Sequence, residues 1–157
     1  RPEEVCIMDI AHALADQCRF SGLCSHFYSV AEHSIRVASI VPADLKLAAL
    51  LHDASEAYLV DLPRPIKRSG LLGEEYMKIE SKVHHAIFEH FGLNPVLPRA
   101  IHEADNVLLV TEQRDLMKPP PMPWYERLYV PLSEKIYPQP PEVTEMWFLD
   151  VFREQGR

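Results

Sequence analysis

The chain has 157 residues, 47% of them hydrophobic and 25% charged, with a formal net charge of −7. That length is most simply one domain over residues 1–157, large enough to bury a core. No stretch approaches the roughly 18–20 apolar residues that span a bilayer, and no basic-then-apolar leader stands out. A cytoplasmic protein with no membrane partner is the expectation. The acidic balance argues against a broad surface for polymeric nucleic acid. It leaves room for a small phosphorylated ligand, because a metal and a few cations reverse a local field. The cysteines Cys6, Cys18 and Cys24 are odd in number and lack metal-site spacing, which suits free thiols in a reducing compartment.

In chain order, Ile7 to Phe20 reads as a helix with Asp9 as its cap. A second helix starts at Ser29, since Ser29 and Glu32 have the spacing of a capping box, and it ends at Pro42. Residues 43–60 read as a third helix, stopped before Pro63 and Pro65. Leu72, Tyr76, Ile79, Val83, Ile87 and Phe91 recur every three or four residues, so a long amphipathic helix is expected from Leu71 to Phe91. A fifth begins near Pro98 and carries Ile101, Ala104, Leu108 and Leu116. A proline-rich connection with room for a short helix follows, and residues 142–152 close the chain as a helix packed through Trp147 and Val151. No alternating strand pattern appears, so the fold class is all-α, a compact bundle of about six helices.

The chemistry gathers in "LLHDASEAYLVDLPRPIK", where His52, Asp53, Glu56 and Asp61 interrupt an apolar run. Buried charges are normally paired or bound to a metal. Helical residues four apart lie within about 40° of one another, so a continuous helix puts His52 and Glu56 on one face with Asp53 beside them. Imidazole and carboxylate together favour a divalent ion. Two further residues pose the same problem: His33 on the second helix, and Asp105 among the apolar residues of the fifth.

This ordered set resembles the signature of the HD-domain metal-dependent phosphohydrolases: a His, a His-Asp doublet and a distant Asp. From about Asp9 to Trp124 the chain is most similar to the small bacterial 5′-deoxynucleotidases and the small, phage-type dATP triphosphohydrolases. "HDASEAYLVDLPRPIK", "YSVAEHS" and "EADNVLLVTEQRDLM" carry the likeness. The resemblance implies an HD-domain bundle with His33, His52, Asp53 and Asp105 as ligands of a divalent metal (Co²⁺, Mn²⁺, Zn²⁺ or Mg²⁺). It implies Glu56 as the residue that orients or deprotonates the attacking water, and Asp61 as a helper in catalysis and sugar contact. Arg19 would grip the phosphate, with Arg64 and Lys67 as further contacts. Phe20 stands where those enzymes often have a tryptophan against the sugar. The implied activity is hydrolysis of deoxynucleoside 5′-phosphates, monophosphates slightly ahead of triphosphates. The implied partners are a nucleotide substrate and a second copy of the chain.

The chemistry is coherent without the family. A metal acidifies water and shields phosphate, a carboxylate accepts the proton, and arginine forks onto phosphate oxygens. With five glycines and no phosphate-cradling glycine loop, kinase chemistry is not expected. Two rivals stand beside the leading reading: a (p)ppGpp hydrolase, and a non-catalytic nucleotide-binding HD module. Taken singly, each residue also has a bland reading. His52 with Asp53 can be a bonded polar pair in a core, and Arg19, Arg64 and Lys67 can be ordinary ion-pair or loop cations. Glu112, seven residues after Asp105 on the same face, reads as a salt-bridging residue. The remaining histidines, His84 and His85 among them, read as structural or surface groups. The aromatic stretch Trp124–Tyr129 suits a cover over a base, loop packing or a subunit contact equally.

Overall fold

The computed structural model describes residues 1–119, 122 and 128–156, the Arg64 side chain excepted. Among them every regular element is helical, and the one extended pairing is an isolated antiparallel bridge between Cys18 and Ser29. The all-α expectation holds. Helix α1 (Ile7–Asp16) buries Ile10, Ala11, Leu14 and Ala15. It stops short of Phe20, where the sequence placed its end. Gln17 is extended there (φ −87°, ψ 119°), and its carbonyl accepts from Val30 N–H while Arg19 N–H reaches Tyr28 O. The first residues after α1 are thus committed to the segment entering α2. Cys6, not Asp9, is the N-cap; Asp9 sits in the first turn, where a carboxylate still favours the positive helix end.

The 3₁₀ turn Arg19–Gly22 holds Phe20 and Ser21 at φ +54° and +53°, left-handed backbone that side chains other than glycine rarely adopt. Helix α2 (Val30–Ser39) starts as expected, with Ser29 Oγ accepting from Glu32 N–H at 3.0 Å. Only half of the capping box forms. The Glu32 carboxylate turns instead to Arg36 (2.7 and 3.0 Å) and to Gln139 N–H (2.8 Å).

The third expected helix is broken. A 3₁₀ turn (Ala43–Leu45) leads into α3 (Lys46–Leu50), residues 51–55 are successive turns, and α4 (Glu56–Leu59) follows. Through the break, His52, Ala54 and Glu56 N–H groups bond three residues back, to Ala49, Leu51 and Asp53 carbonyls. The His52 ring takes a second hold on Ala49 O at 2.7 Å. A side chain competing for a helix carbonyl is a known way to end one. The face argument for His52 and Glu56 therefore rests on turns and not on a continuous helix.

Helix α5 (Arg64–Lys67) runs into α6 (Gly70–His90). A Cβ on Gly73 would lie 2.1 Å from Lys67 O, so glycine lets α6 abut the end of α5. The apolar stripe of α6 reaches the core in its second half, through Val83, Ile87 and Phe91; Leu72 and Ile79 are 67% and 51% exposed. Helix α6 also meets α4, α5 and the 3₁₀ turn Pro2–Glu4, and Tyr76 is half-buried with its hydroxyl on the Leu59 and Val60 carbonyls. Helix α7 (Arg99–Leu116) and α8 (Pro141–Arg153) lie where the spacing put them. In α8, Phe148, Leu149 and Phe152 are buried. The expected anchor Trp147 stays more than a third exposed and lies over Arg36 at 5.8 Å. Residues 129–140 run without a regular helix. Trp124 and its neighbours to residue 127 lie outside the described residues, so the expected aromatic cover falls there. Helices α1 and α2 form the centre: α1 packs on α8, α4 and α2, and α2 on α3, α8 and α7. Among the described residues no helix is long and apolar enough to cross a membrane.

Candidate metal centre

Three segments converge on one buried point. Helix α2 supplies His33, fully buried in its first turns; the 51–55 turns supply His52 and Asp53; α7 supplies Asp105. Ligand atoms of His33, His52 and Asp53 lie within 4.8 Å of one another. Asp53 Oδ2 is 3.2 Å from His52 Nε2 and 3.7 Å from His33 Nε2, and Asp105 Oδ1 is 3.2 Å from His33 Nε2. The rings of His33 and His52 are 5.3 Å apart, tilted by 48°.

Each imidazole is held by its other nitrogen. His33 Nδ1 meets Glu112 Oε1 at 2.6 Å, and His52 Nδ1 meets Ala49 O at 2.7 Å. Both acceptors require a proton on Nδ1, which turns Nε2 toward the carboxylates. Those two Nε2 atoms are buried and make no hydrogen bond of proper geometry. Buried polar nitrogens without partners are costly, and a nitrogen–carboxylate donor set is what a divalent transition metal takes. His33, His52 and Asp53 fit such an ion, and Asp105 lies beside His33.

Electrostatics points the same way. Burial opposes protonation of His52, yet the charges of the adjacent Asp53 and of Asp105 outweigh it and lift the ring to about 9. Burial and Arg19 oppose a charge on His33, but Glu112 and Asp105 raise it as well. Burial would raise Asp53, and the neighbouring His52, His33 and Arg19 instead hold it far below the ordinary range. Asp105 is lowered to about 2 by His33 and His52 against its own burial. Without a metal, protons on the imidazoles hold the two carboxylates together; metal binding at such a site releases protons.

The remaining residues that the sequence singled out lie around this point in different ways. Arg19 is buried, with Nη2 on Glu112 Oε2 at 3.2 Å, Nη1 3.6 Å from Asp53 Oδ2, and Nε without a partner. Phe20 lies beside it, the guanidinium 5.1 Å from the ring centre. Glu56 is buried, and its pKa is pushed to about 9 by burial and by Asp53 and Asp61, with Lys67 pulling the other way. Lys67 Nζ lies 3.4 Å from Glu56 Oε1 and 2.8 Å from Glu80 Oε1. Asp61 is partly exposed; its N–H is bonded to Gln17 Oε1, while Gln17 Nε2 donates to Glu56 O. Arg64 opens α5, three residues before Lys67. A cavity of about 200 Å³ adjoins the cluster, bounded by His52, Asp53, Lys67, Glu80, Ser81 and His84.

Sequence reasoning missed several of these. Gln17, Tyr28 and Glu80 carry no local signal, because each acts through a residue distant in the chain. Glu112 did have a signal, its place on the face of Asp105, but it also orients His33, which a salt-bridging role does not include. The cysteines are unbridged, as expected.

No protein-family model matches the chain. It is 44% identical over 114 residues to the uncharacterised protein YfdR of Escherichia coli, a match that covers 73% of this chain and 62% of YfdR. It is 39% identical over 119 residues to an uncharacterised protein of Rhodobacter capsulatus, covering 68% of this chain and 60% of that protein. The chain thus spans less than two thirds of the length of these relatives. A more distant likeness, 33% identity over 78 residues and 39% of either chain, is to a 5′-deoxynucleotidase of Erwinia tasmaniensis. The helical fold, a cluster able to hold a metal ion and this partial likeness agree with a phosphohydrolase.

Proposed function

We propose that this chain is an HD-type, metal-dependent phosphohydrolase acting on deoxynucleoside 5′-phosphates, with monophosphates ahead of triphosphates. The observation that carries it is the pair of buried imidazoles, each tied at Nδ1 and presenting an unpartnered Nε2 to Asp53 and Asp105. His33, His52, Asp53 and Asp105 hold the metal, of the Co²⁺, Mn²⁺, Zn²⁺ or Mg²⁺ type. Bound there, such an ion would acidify water and shield phosphate charge.

The chain's own residues do the rest. Arg19, fixed at one edge by Glu112, offers its remaining N–H groups to phosphate oxygens. Glu56, buried with Lys67 Nζ 3.4 Å from its Oε1, takes the proton from the attacking water in its ionised form. Asp61 keeps that base strong by its charge, and Gln17 joins the two through its amide. Lys67, and Arg64 three residues before it, serve the outer phosphate oxygens, while Phe20 borders the sugar. The cavity is smaller than the roughly 300–1,000 Å³ of drug-sized sites, so it suits a phosphate- or sugar-sized fragment. A water-activating carboxylate with a raised pKa supports an enzyme over a module that only binds.

Phosphate release from ribo- and deoxynucleoside mono-, di- and triphosphates, with each metal and with a chelator, tests the reading. Metal-dependent release confined to deoxynucleoside monophosphates is expected. Folded, metal-loaded protein that turns over none of them would overturn it.

A further inference from the structure

Glu112 is wholly buried on α7, on the face that also carries Asp105. A carboxylate at that depth needs donors on both oxygens. Oε1 accepts from His33 Nδ1 at 2.6 Å and from Tyr28 Oη at 2.9 Å, and Oε2 accepts from Arg19 Nη2 at 3.2 Å. Two of these donors belong to different working parts of the proposed site, a metal ligand and the phosphate-gripping arginine. The third is a buried hydroxyl that fixes the carboxylate between them.

We infer that Glu112 is a positioning residue that sets both at once, holding His33 with its proton on Nδ1 and Nε2 toward Asp53 and Asp105, and holding Arg19 by one edge. What those two groups act on rests on the reading above; their dependence on Glu112 does not. The chemistry of the position is restrictive. All three neighbours donate, and a carboxylate is the side chain that accepts in every direction and donates in none. Glutamine has the same shape with one accepting end and one donating end. At position 112 it must turn its NH₂ either toward Arg19 or toward His33 and Tyr28. The first choice displaces the arginine, and the second drives His33 to the opposite tautomer.

The test uses the full chain. In metal-free protein labelled with ¹⁵N-histidine, brought to a pH high enough to deprotonate the ring, two-bond ¹H–¹⁵N spectra read the tautomer of neutral His33. Protonation at Nδ1 is expected in the wild type and loss or mixing of that state in Glu112→Gln. Calorimetric titration with Mn²⁺ should show binding about 10–100-fold weaker in Glu112→Gln, the scale of a lost outer-shell partner. Tyr28→Phe keeps the carboxylate and loses one hydrogen bond to a charged group, so Mn²⁺ binding should weaken less than in Glu112→Gln; an equal or greater loss would overturn the inference. A folded Glu112→Gln protein with wild-type tautomer and Mn²⁺ affinity overturns the inference. So does a wild-type neutral ring protonated at Nε2, a measurement that needs no variant to fold. A wild type with the expected tautomer but no Mn²⁺ affinity would sink the metal-dependent reading and leave the role of Glu112 toward His33 standing.

Discussion

Helix α7 takes part in two clusters of buried and half-buried polar side chains, built on opposite plans. At the 130–136 segment, Thr111 Oγ1 donates to Val107 O and accepts from Leu132 N–H; Arg114 reaches Leu132 O, Glu134 O and Asp115; Asp115 accepts from Ile136 N–H. The buried side-chain atoms of Thr111 and Asp115 all have partners, and Arg114 lies at the exposed edge. Around Asp105 and Glu112, His33 Nε2, His52 Nε2 and Arg19 Nε are buried and unpartnered, as is Glu56 Oε2 toward Lys67. A closed network spends its hydrogen bonds on holding chain to chain. An open one keeps donors and acceptors aimed at a point, at a cost in stability that a purely structural cluster has no reason to carry. Glu32 belongs with the closed kind: fully buried, it joins Arg36 to the Gln139 amide ahead of α8.

Matched substitutions break that comparison most sharply. Asp53→Asn should abolish metal-dependent phosphate release and weaken Mn²⁺ binding by more than ~100-fold, beyond the loss of an outer-shell partner. Without metal it should be destabilised as well, because asparagine no longer balances the charges of His52, His33 and Arg19. Asp115→Ala should destabilise the fold by about 1–3 kcal/mol by leaving the Ile136 amide unanswered, but with Mn²⁺ affinity unchanged. Equal effects of both variants on metal affinity would mean that the two clusters do not differ in kind.

The next effect comes from Glu56. Its carboxyl is raised to about 9 by burial and by Asp53 and Asp61, against an ordinary value near 4.3. Between those values the folded state binds more protons than the unfolded state. Stability is therefore full below about pH 4 and is lost progressively as pH rises toward the folded value. Glu56→Gln removes that loss. The metal-free variant should be the more stable protein above about pH 5, by a margin growing to the order of a few kcal/mol at pH 9, while losing turnover. Urea denaturation from pH 5 to 9 in the presence of a chelator gives the margin. Parallel curves for variant and wild type would place Glu56 among ordinary carboxylates.

What could be read in advance divides along the same line. The periodicity of α6, the Ser29 cap, and the boundaries of α7 and α8 are local, so the sequence displays them. So is the peculiarity of His52 and Asp53 in an apolar run, which led to His33 and Asp105; all four meet. The break at residues 51–55 was not legible. Ala48, Ala49, Leu50, Leu51 and Ala54 continue a helical pattern, and what interrupts it is the His52 ring on Ala49 O. The early half of α6 misled for a related reason, because a stripe of correct spacing predicts burial only where another element covers it. Gln17, Tyr28 and Glu80 were invisible because their meaning lies in partners 13 or more residues away, such as Lys67 for Glu80 and Glu112 for Tyr28.

The smallest effect is expected where a closed contact lies in full solvent. His12 on α1 meets Glu145 Oε2 on α8 at 3.0 Å and Asp16 Oδ2 at 3.5 Å, and the hydrogen bond and charge of Glu145 raise its pKa, with Asp16 adding to them. A histidine raised on folding contributes stability that is present in full below its ordinary value near 6.5. That contribution is lost as pH rises through the higher folded value. His12→Gln should therefore lower the melting temperature at pH 5.5 by no more than ~2 °C, the scale of an exposed ion pair in a chain of this size. The difference should fade above pH 8 and shrink in high salt. A deficit that stays constant with pH would show that His12 acts by packing alone. A deficit accompanied by weaker Mn²⁺ binding would show that the α1–α8 contact reaches the metal cluster, and the division between closed and open networks would not hold at this end of the molecule.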